Sequence, residues 1–166
     1  AGNGSEQFQE PRGVGVNQDG SATRVIVSDP VMNSDSRRLR RFNTTGSMIS
    51  EIGRSQLPNP RGIAIDRNNR IWVVDSSSTG RVFLFDSNGS YNTSWTPDGS
   101  GSLSSPNGIA VFKDGSQTYV YVTNTGNNKV VKYEYTGGNL DFVKAAGTQG
   151  SGSSSFNGPA GIAADS

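Results

Sequence analysis

Apolar residues in this chain gather into runs of strand length, separated by Gly, Asn, Asp and Ser. The runs "RIWVVD" (70–75), "RVFLFD" (81–86) and "TYVYVTN" (118–124) are rich in β-branched and aromatic residues, which suits β-strands. No segment holds a 3.6-residue apolar period, so the pattern predicts no helix. The runs also come in groups, and each group opens on nearly the same phrase. "EPRGVGV" begins at Glu10, "NPRGIAID" at Asn59, "SPNGIAV" at Ser105 and "GPAGIAAD" at Gly158. A chemical motif is seldom needed four times in one chain; a structural unit often is.

The anchors Pro11, Pro60, Pro106 and Pro159 lie 49, 46 and 53 residues apart. Four short strands per repeat of that length fit the blade of a β-propeller. In the second repeat the strands are "GIAID", "RIWVVD", "RVFLFD" and "YNTSW", with turns at 67–69, 76–80 and 86–90. The first reads "GVGV", "RVIVSD", "RRLRRF" and "SMISEIG", and the third "GIAVF", "TYVYVTN", "KVVKYEY" and "LDFVKAAG". Gly13, Gly62, Gly108 and Gly161 stand where each innermost strand begins, where neighbouring strands converge and a side chain would crowd them. The expected fold class is all-β. Blades span 7–56, 57–102 and 103–153, and 154–166 supplies the first strand of a fourth.

These residues carry a resemblance. Pro-x-Gly-Ile/Val-Ala-Val/Ile-Asp, followed by "IWVVD", Arg-Val and Phe-Asp, resembles the NHL-repeat family of β-propellers. "VTNTGNNKVVKY" fits best, with Asn124, Asn127, Lys129 and Val130 at the family's Asp/Asn, Asn, Arg/Lys and Val/Ile positions. Asp75, Arg81 and Val82 match in the second repeat, and Asp29, Arg38 and Leu39 in the first, after the insertion "PVMNSDSR". The resemblance implies a six-bladed ring, which at this period needs about 290 residues. The chain then offers an open arc whose two terminal sheet faces, lined by Val, Ile and Phe, need partners. Those partners are further blades of the same protein, the chain being a portion of a longer one, or other copies that complete a ring or filament.

Composition narrows the function. Only 31% of residues are hydrophobic, which suits a thin-cored, turn-rich β protein. The formal charge of +1 gives no whole-chain field to attract nucleic acid or an anionic membrane, and no apolar run approaches the ~20 residues of a membrane span. The opening "AGNGSEQFQE" has neither the basic start nor the apolar core of a signal peptide. With no cysteine and no histidine there is no disulfide frame, no Ser–His or Cys–His nucleophile pair, and no usual zinc ligand. Within the resemblance, propeller lyases use histidine zinc ligands and calcium-dependent lactonases a central Glu/Asn/Asp set. Here Glu6, Glu10, Glu51 and Glu134 do not begin innermost strands, so no catalysis, metal or cofactor is expected within these residues.

Several residues remain as binding candidates. Arg37, Arg40 and Arg41 in "RRLRR" have no counterparts in the other blades; they read as a basic patch for RNA, as in some members of the family, or as one face of a third strand. Asp29, Asp66 and Asp75 read as metal or acid–base groups, or as side chains bonding the backbone of the turn after the second strand. "DSNG" (86–89) lacks the later ligands and closing Glu of a calcium loop and reads as a hairpin turn. Trp95, on an outer strand, is the better placed of the two tryptophans to stack on a sugar or base, while Trp72 is expected between blades. Asn3, Asn43, Asn88 and Asn92 head Asn-x-Ser/Thr sequons, the last three near the rim turn between third and fourth strands, where a glycan would meet water. "TQGSGSSSF" reads as a flexible inter-blade linker.

The leading expectation is therefore a non-catalytic NHL-type binding or assembly module, extracellular and glycosylated. Two alternatives stand beside it: a segment of a propeller lyase or lactonase whose catalytic residues lie elsewhere, and an RNA-binding propeller acting through 37–41.

Overall fold

A computed structural model describes residues 8–30 and 37–165; Asn3 and the Arg37 side chain lie outside what it describes. Three four-stranded antiparallel sheets follow one another along the chain. The first contains β1 (Gly13–Asp19), β2 (Ala22–Pro30), β3 (Arg37–Phe42) and β4 (Met48–Ile52). The second contains β5 (Pro60–Ile65), β6 (Ile71–Asp75), β7 (Arg81–Phe85) and β8 (Tyr91–Trp95). The third contains β9 (Pro106–Asp114), β10 (Gln117–Asn124), β11 (Lys129–Thr136) and β12 (Asn139–Ala146). Within each sheet the strands keep chain order, as in a propeller blade. Among the described residues, no helix is long and apolar enough to cross a membrane.

Successive blades meet face to face, and the second is buried on both sides. Because alternate residues of a strand point to opposite faces, Ile71, Val73, Phe83 and Phe85 pack toward Ile26, Leu39 and Ile52 of the first blade. Trp72, Val74, Val82 and Leu84 pack toward Val120, Val122, Val131 and Tyr133 of the third. This is why "RIWVVD" is a continuous apolar run rather than an alternating one.

At the inner edge the Pro-x-Gly phrase lets the first strands approach backbone to backbone. A Cβ on Gly13 would lie 2.5 Å from the Arg61 carbonyl oxygen, and one on Gly62 would lie 2.6 Å from that of Asn107. Hydroxyls bridge two of these approaches. Ser28 Oγ accepts from Gly13 N (2.8 Å) and donates to Arg61 O (2.5 Å). Thr123 Oγ1 accepts from Gly108 N (2.7 Å) and donates to Ala160 O (2.8 Å).

That last bond places 158–161 where a fourth innermost strand would lie, helped by Thr125 Oγ1 to Pro159 O (2.7 Å) and Gly158 N to Asn128 Oδ1 (2.8 Å). The expected strand itself is not formed: residues 157–165 have no ladder, because no second strand among the described residues lies beside them. Space is open around Gly161 for the same reason. The expected linker also differs, since β13 (Thr148–Gln149) and β14 (Ser155–Phe156) pair in parallel and close 148–156 into a compact loop.

Candidate functional site

The acidic and amide side chains ending each second strand organise the entry to their own blade. Asp75, fully buried, accepts from Asn59 N (2.7 Å) and Ser77 N (2.9 Å). Asp29 accepts from Glu10 N (2.8 Å), and Asn124 from Ser104 N (2.7 Å). Among the described residues, the expectation of bonds to the following turn holds for Asp75 through Ser77 N; the contact shared by all three blades reaches back to the segment before the first strand. Asn127 is exposed in the short 3-10 turn, and the inter-strand tie is made by its neighbour Asn128. Asp66 binds within its own hairpin, to Asn68 N (2.9 Å), Arg70 Nε (2.7 Å) and Trp72 Nε1 (3.0 Å). These three carboxylates sit in separate turns.

Within the basic cluster, Arg40 and Arg41 do not form an exposed patch. Arg40 and Arg41 are 4% and 5% exposed. Arg41 crosses the first seam, pairing with Asp19 (2.5 Å) and donating to Asn88 O (2.8 Å), while Arg40 lies 3.5 Å from Asp29 and 5.5 Å above the Phe8 ring. Arg38 pairs with Glu51 at 2.8 Å. A buried charge must be paired, and these are, so neither Arg40 nor Arg41 is free to meet phosphates. Trp95 is likewise occupied: its indole stacks on Trp72 (5.7 Å between centroids), meets Tyr135 edge-on and donates to Gly138 O (3.2 Å). Trp72 is fully buried between blades, as expected.

What remains accessible is the pair of terminal sheet faces. On the first blade Val14 and Val16 are 63% and 56% exposed, although Ile63, at the position of Val14 in the next repeat, is 9% exposed. Phe8, Val25, Val27 and Phe42 line an open apolar groove of about 310 Å³ beside them. The free face of the third blade departs from the expected Val/Ile/Phe lining: Lys132 Nζ stands 3.6 Å above the Tyr119 ring and 5.6 Å from that of Tyr121. The flanking prolines follow the same logic, since Pro60 and Pro106 are buried and Pro11 is exposed.

Two features escaped the sequence pattern although the repeat contained them. Three residues before each anchoring proline stands an apolar side chain: Phe8, Leu57, Leu103 and Phe156. Leu57 and Leu103 plug the seam to the preceding blade, and Phe8 rests on Phe42 at 5.4 Å. Aligning the phrases three residues further upstream would have found them. Each outermost strand also carries one unpaired residue, Ile49, Asn92 or Val143, where the register shifts. This repeated bulge turns that residue outward on the rim.

The sequons at Asn43, Asn88 and Asn92 lie on that rim. Asn43 Oδ1 accepts from Thr45 Oγ1 (2.7 Å), Asn88 is exposed in the 86–90 turn, and Asn92 is the bulge residue. The amide nitrogen of Asn92 donates to Asp86 Oδ1 (3.0 Å), which sets it apart from Asn88.

A family model described as the NHL repeat matches residues 57–85, from the seam-plugging Leu57 to the end of the third strand of the second blade. The second blade is thus similar to an NHL repeat over its first three strands. The first and third blades share its strand order and anchoring glycines. No curated protein matches the chain. Among solved structures, virginiamycin B lyase from Staphylococcus aureus is similar at 15% identity and a TM-score of 0.44, covering 79% of this chain and 54% of that one. The chain thus spans about half the length of that protein.

Proposed function

We propose that the chain is a non-catalytic NHL-propeller segment that works as a binding and assembly module, its terminal blade faces covered by further blades or by other chains. The observation that carries this is internal to the repeat. Val14 is bare, whereas Ile63, one repeat later, is covered by the preceding blade. Covering a face of this kind removes several hundred Å² of apolar surface, on the order of 10 kcal/mol before association costs. The rim position of Asn43, Asn88 and Asn92 supports an extracellular, glycosylated setting, because sugars there leave both blade faces clear.

Light scattering on the 166-residue chain tests the reading. Association is expected, and Val14→Lys with Val16→Lys should weaken it, since both side chains are exposed and their replacement leaves the seams intact. A monomer at all concentrations, with the same mass in the double variant, would overturn the assembly reading.

A further inference from the structure

The rim turn between the third and fourth strands of the second blade runs Asp86-Ser87-Asn88-Gly89. Asn88 is exposed there, and Gly89, at φ +92°, carries no side chain to shield the peptide between them. An asparagine before glycine loses ammonia when the glycine nitrogen attacks the carboxamide carbon and water opens the ring that forms. Two groups around Asn88 bear on those steps.

Ser90 N donates to Asn88 Oδ1 (2.9 Å). That bond polarises the carboxamide and stands where negative charge develops when its carbon is attacked. Arg41 Nη1, reaching across the seam from the first blade, donates to Asn88 O (2.8 Å). That carbonyl and Gly89 N–H belong to one peptide group. A guanidinium on the oxygen therefore stabilises the anion left when the nitrogen loses its proton. Asp19 (2.5 Å) and Ser87 O (3.4 Å) hold Arg41 in place. Against this, Gly89 N donates to Asp86 O (2.9 Å), and attack breaks that bond. It is a neutral bond, whereas the one from Arg41 is charge-assisted and roughly twice as strong.

The same dipeptide occurs elsewhere without these groups. Asn107-Gly108 lies in β9, with Gly108 N bound to Thr123 Oγ1 (2.7 Å). Asn157-Gly158 is exposed, with Gly158 N bound to Asn128 Oδ1 (2.8 Å). Among the described residues, no donor reaches either carboxamide and no arginine bonds either peptide oxygen. Asn3-Gly4 lies outside the described residues.

We propose that Asn88 is a site of spontaneous deamidation, primed by Arg41 of the neighbouring blade. A base from solvent takes the Gly89 N–H proton, the nitrogen bonds to Asn88 Cγ, and the Cγ–Nδ2 bond breaks to release ammonia. Water then adds to one carbonyl of the succinimide and leaves aspartate or isoaspartate. Isoaspartate lengthens the main chain by one methylene in the turn whose Ser87 and Asn88 carbonyls receive Asn17 Nδ2 and Arg41, which loosens the first seam. A glycan on Asn88 would occupy the nitrogen that leaves. The site therefore belongs to chains without sugar there and stands apart from the glycoprotein and assembly readings.

The test is peptide mapping by mass spectrometry of the whole chain, made without glycosylation and incubated at neutral and mildly alkaline pH. In the folded chain Asn88 should convert faster than Asn157 and about tenfold or more faster than Asn107. Isoaspartate should be among the products, and the rate should rise with pH because the nucleophile is an anion. Asn88 should convert at least as fast folded as in concentrated urea, whereas Asn107 should be slower folded. Arg41→Lys keeps the charge but loses the fork over the Ser87 and Asn88 carbonyls. It should slow Asn88 several-fold in the folded chain and change nothing in urea. If that variant unfolds, its Asn107 rate rises to the urea value, and the folded-versus-urea comparison in the parent decides alone. Folded Asn88 no faster than Asn157, Asn88 faster in urea than folded, or an unchanged rate in folded Arg41→Lys overturns the proposal.

Discussion

Replacing Gly62 by alanine tests the blade register most directly. The added Cβ would sit 2.6 Å from Asn107 O, 3.0 Å from Gly108 Cα and 3.0 Å from Ile109 N. All three are backbone atoms of the next blade and cannot rotate away. A carbon and an oxygen in contact need roughly 3.2 Å or more, so the second and third blades must part by about half an ångström along a seam packed with Trp72, Val74, Val120 and Val122. Overpacking of this kind costs about 1–3 kcal/mol. For a chain of this size that corresponds to a fall in Tm of roughly 2–10 °C. Gly161→Ala is the matched control, because it occupies the same repeat position with nothing within 4 Å. By restricting the unfolded chain it should be neutral or stabilise by about 0.5 kcal/mol. Thermal and urea unfolding followed by circular dichroism would read both variants. Equal stability of Gly62→Ala and the parent, or an equal loss in Gly161→Ala, would refute the argument that backbone approach makes this glycine necessary.

Three other outcomes follow from the same geometry. Asp75→Ala should cost about 2–4 kcal/mol in urea unfolding, because Asn59 N and Ser77 N lose their acceptor; Asp75→Asn should cost about half, since one oxygen remains to do what Asn124 does in the third blade. Tyr133 is a buried phenol that donates to Gly101 O, and burial pushes its pKa well above the usual 10.0. The folded chain keeps that proton while the unfolded chain releases it, so stability should be level below about pH 10 and then fall by up to about 1.4 kcal/mol per pH unit. Tyr133→Phe should remove that part of the slope, and an unchanged alkaline slope would count against it. Mass spectrometry of natural material should find sugar at Asn88 or Asn43 ahead of Asn92, whose amide nitrogen is held by Asp86; bare asparagine at all sequons would remove the glycoprotein reading.

The division between sequence and tertiary structure follows the range of the interactions involved. The phrases at Pro11, Pro60 and Pro106 and the β-branched runs behind them determined three four-stranded blades, because strand alternation, turn residues and a repeated glycine are local signals renewed in every unit. They also placed Asp29, Asp75 and Asn124 at the ends of second strands, but the backbone partner each takes, 16 to 20 residues earlier in the chain, was decided only by the folding of the blade. The candidate site was far less legible. "RRLRR" reads identically whether its arginines face water or protein; the stacking of the first two blades buried Arg41, while Phe8 and Asp29 cover Arg40 on the opposite face. Trp95 was likewise taken up by Trp72 and by Tyr135 of the next blade. Asn17 and Asp66 occupy one repeat position, yet Asn17 reaches across its own seam, while Asp66 turns back into its hairpin and holds Arg70, which bridges to Tyr135 of the next blade. The choice depends on whether Arg70 and Trp72 stand ready within the same hairpin, so it is decided by where side chains meet in space rather than by the period that sets the blades.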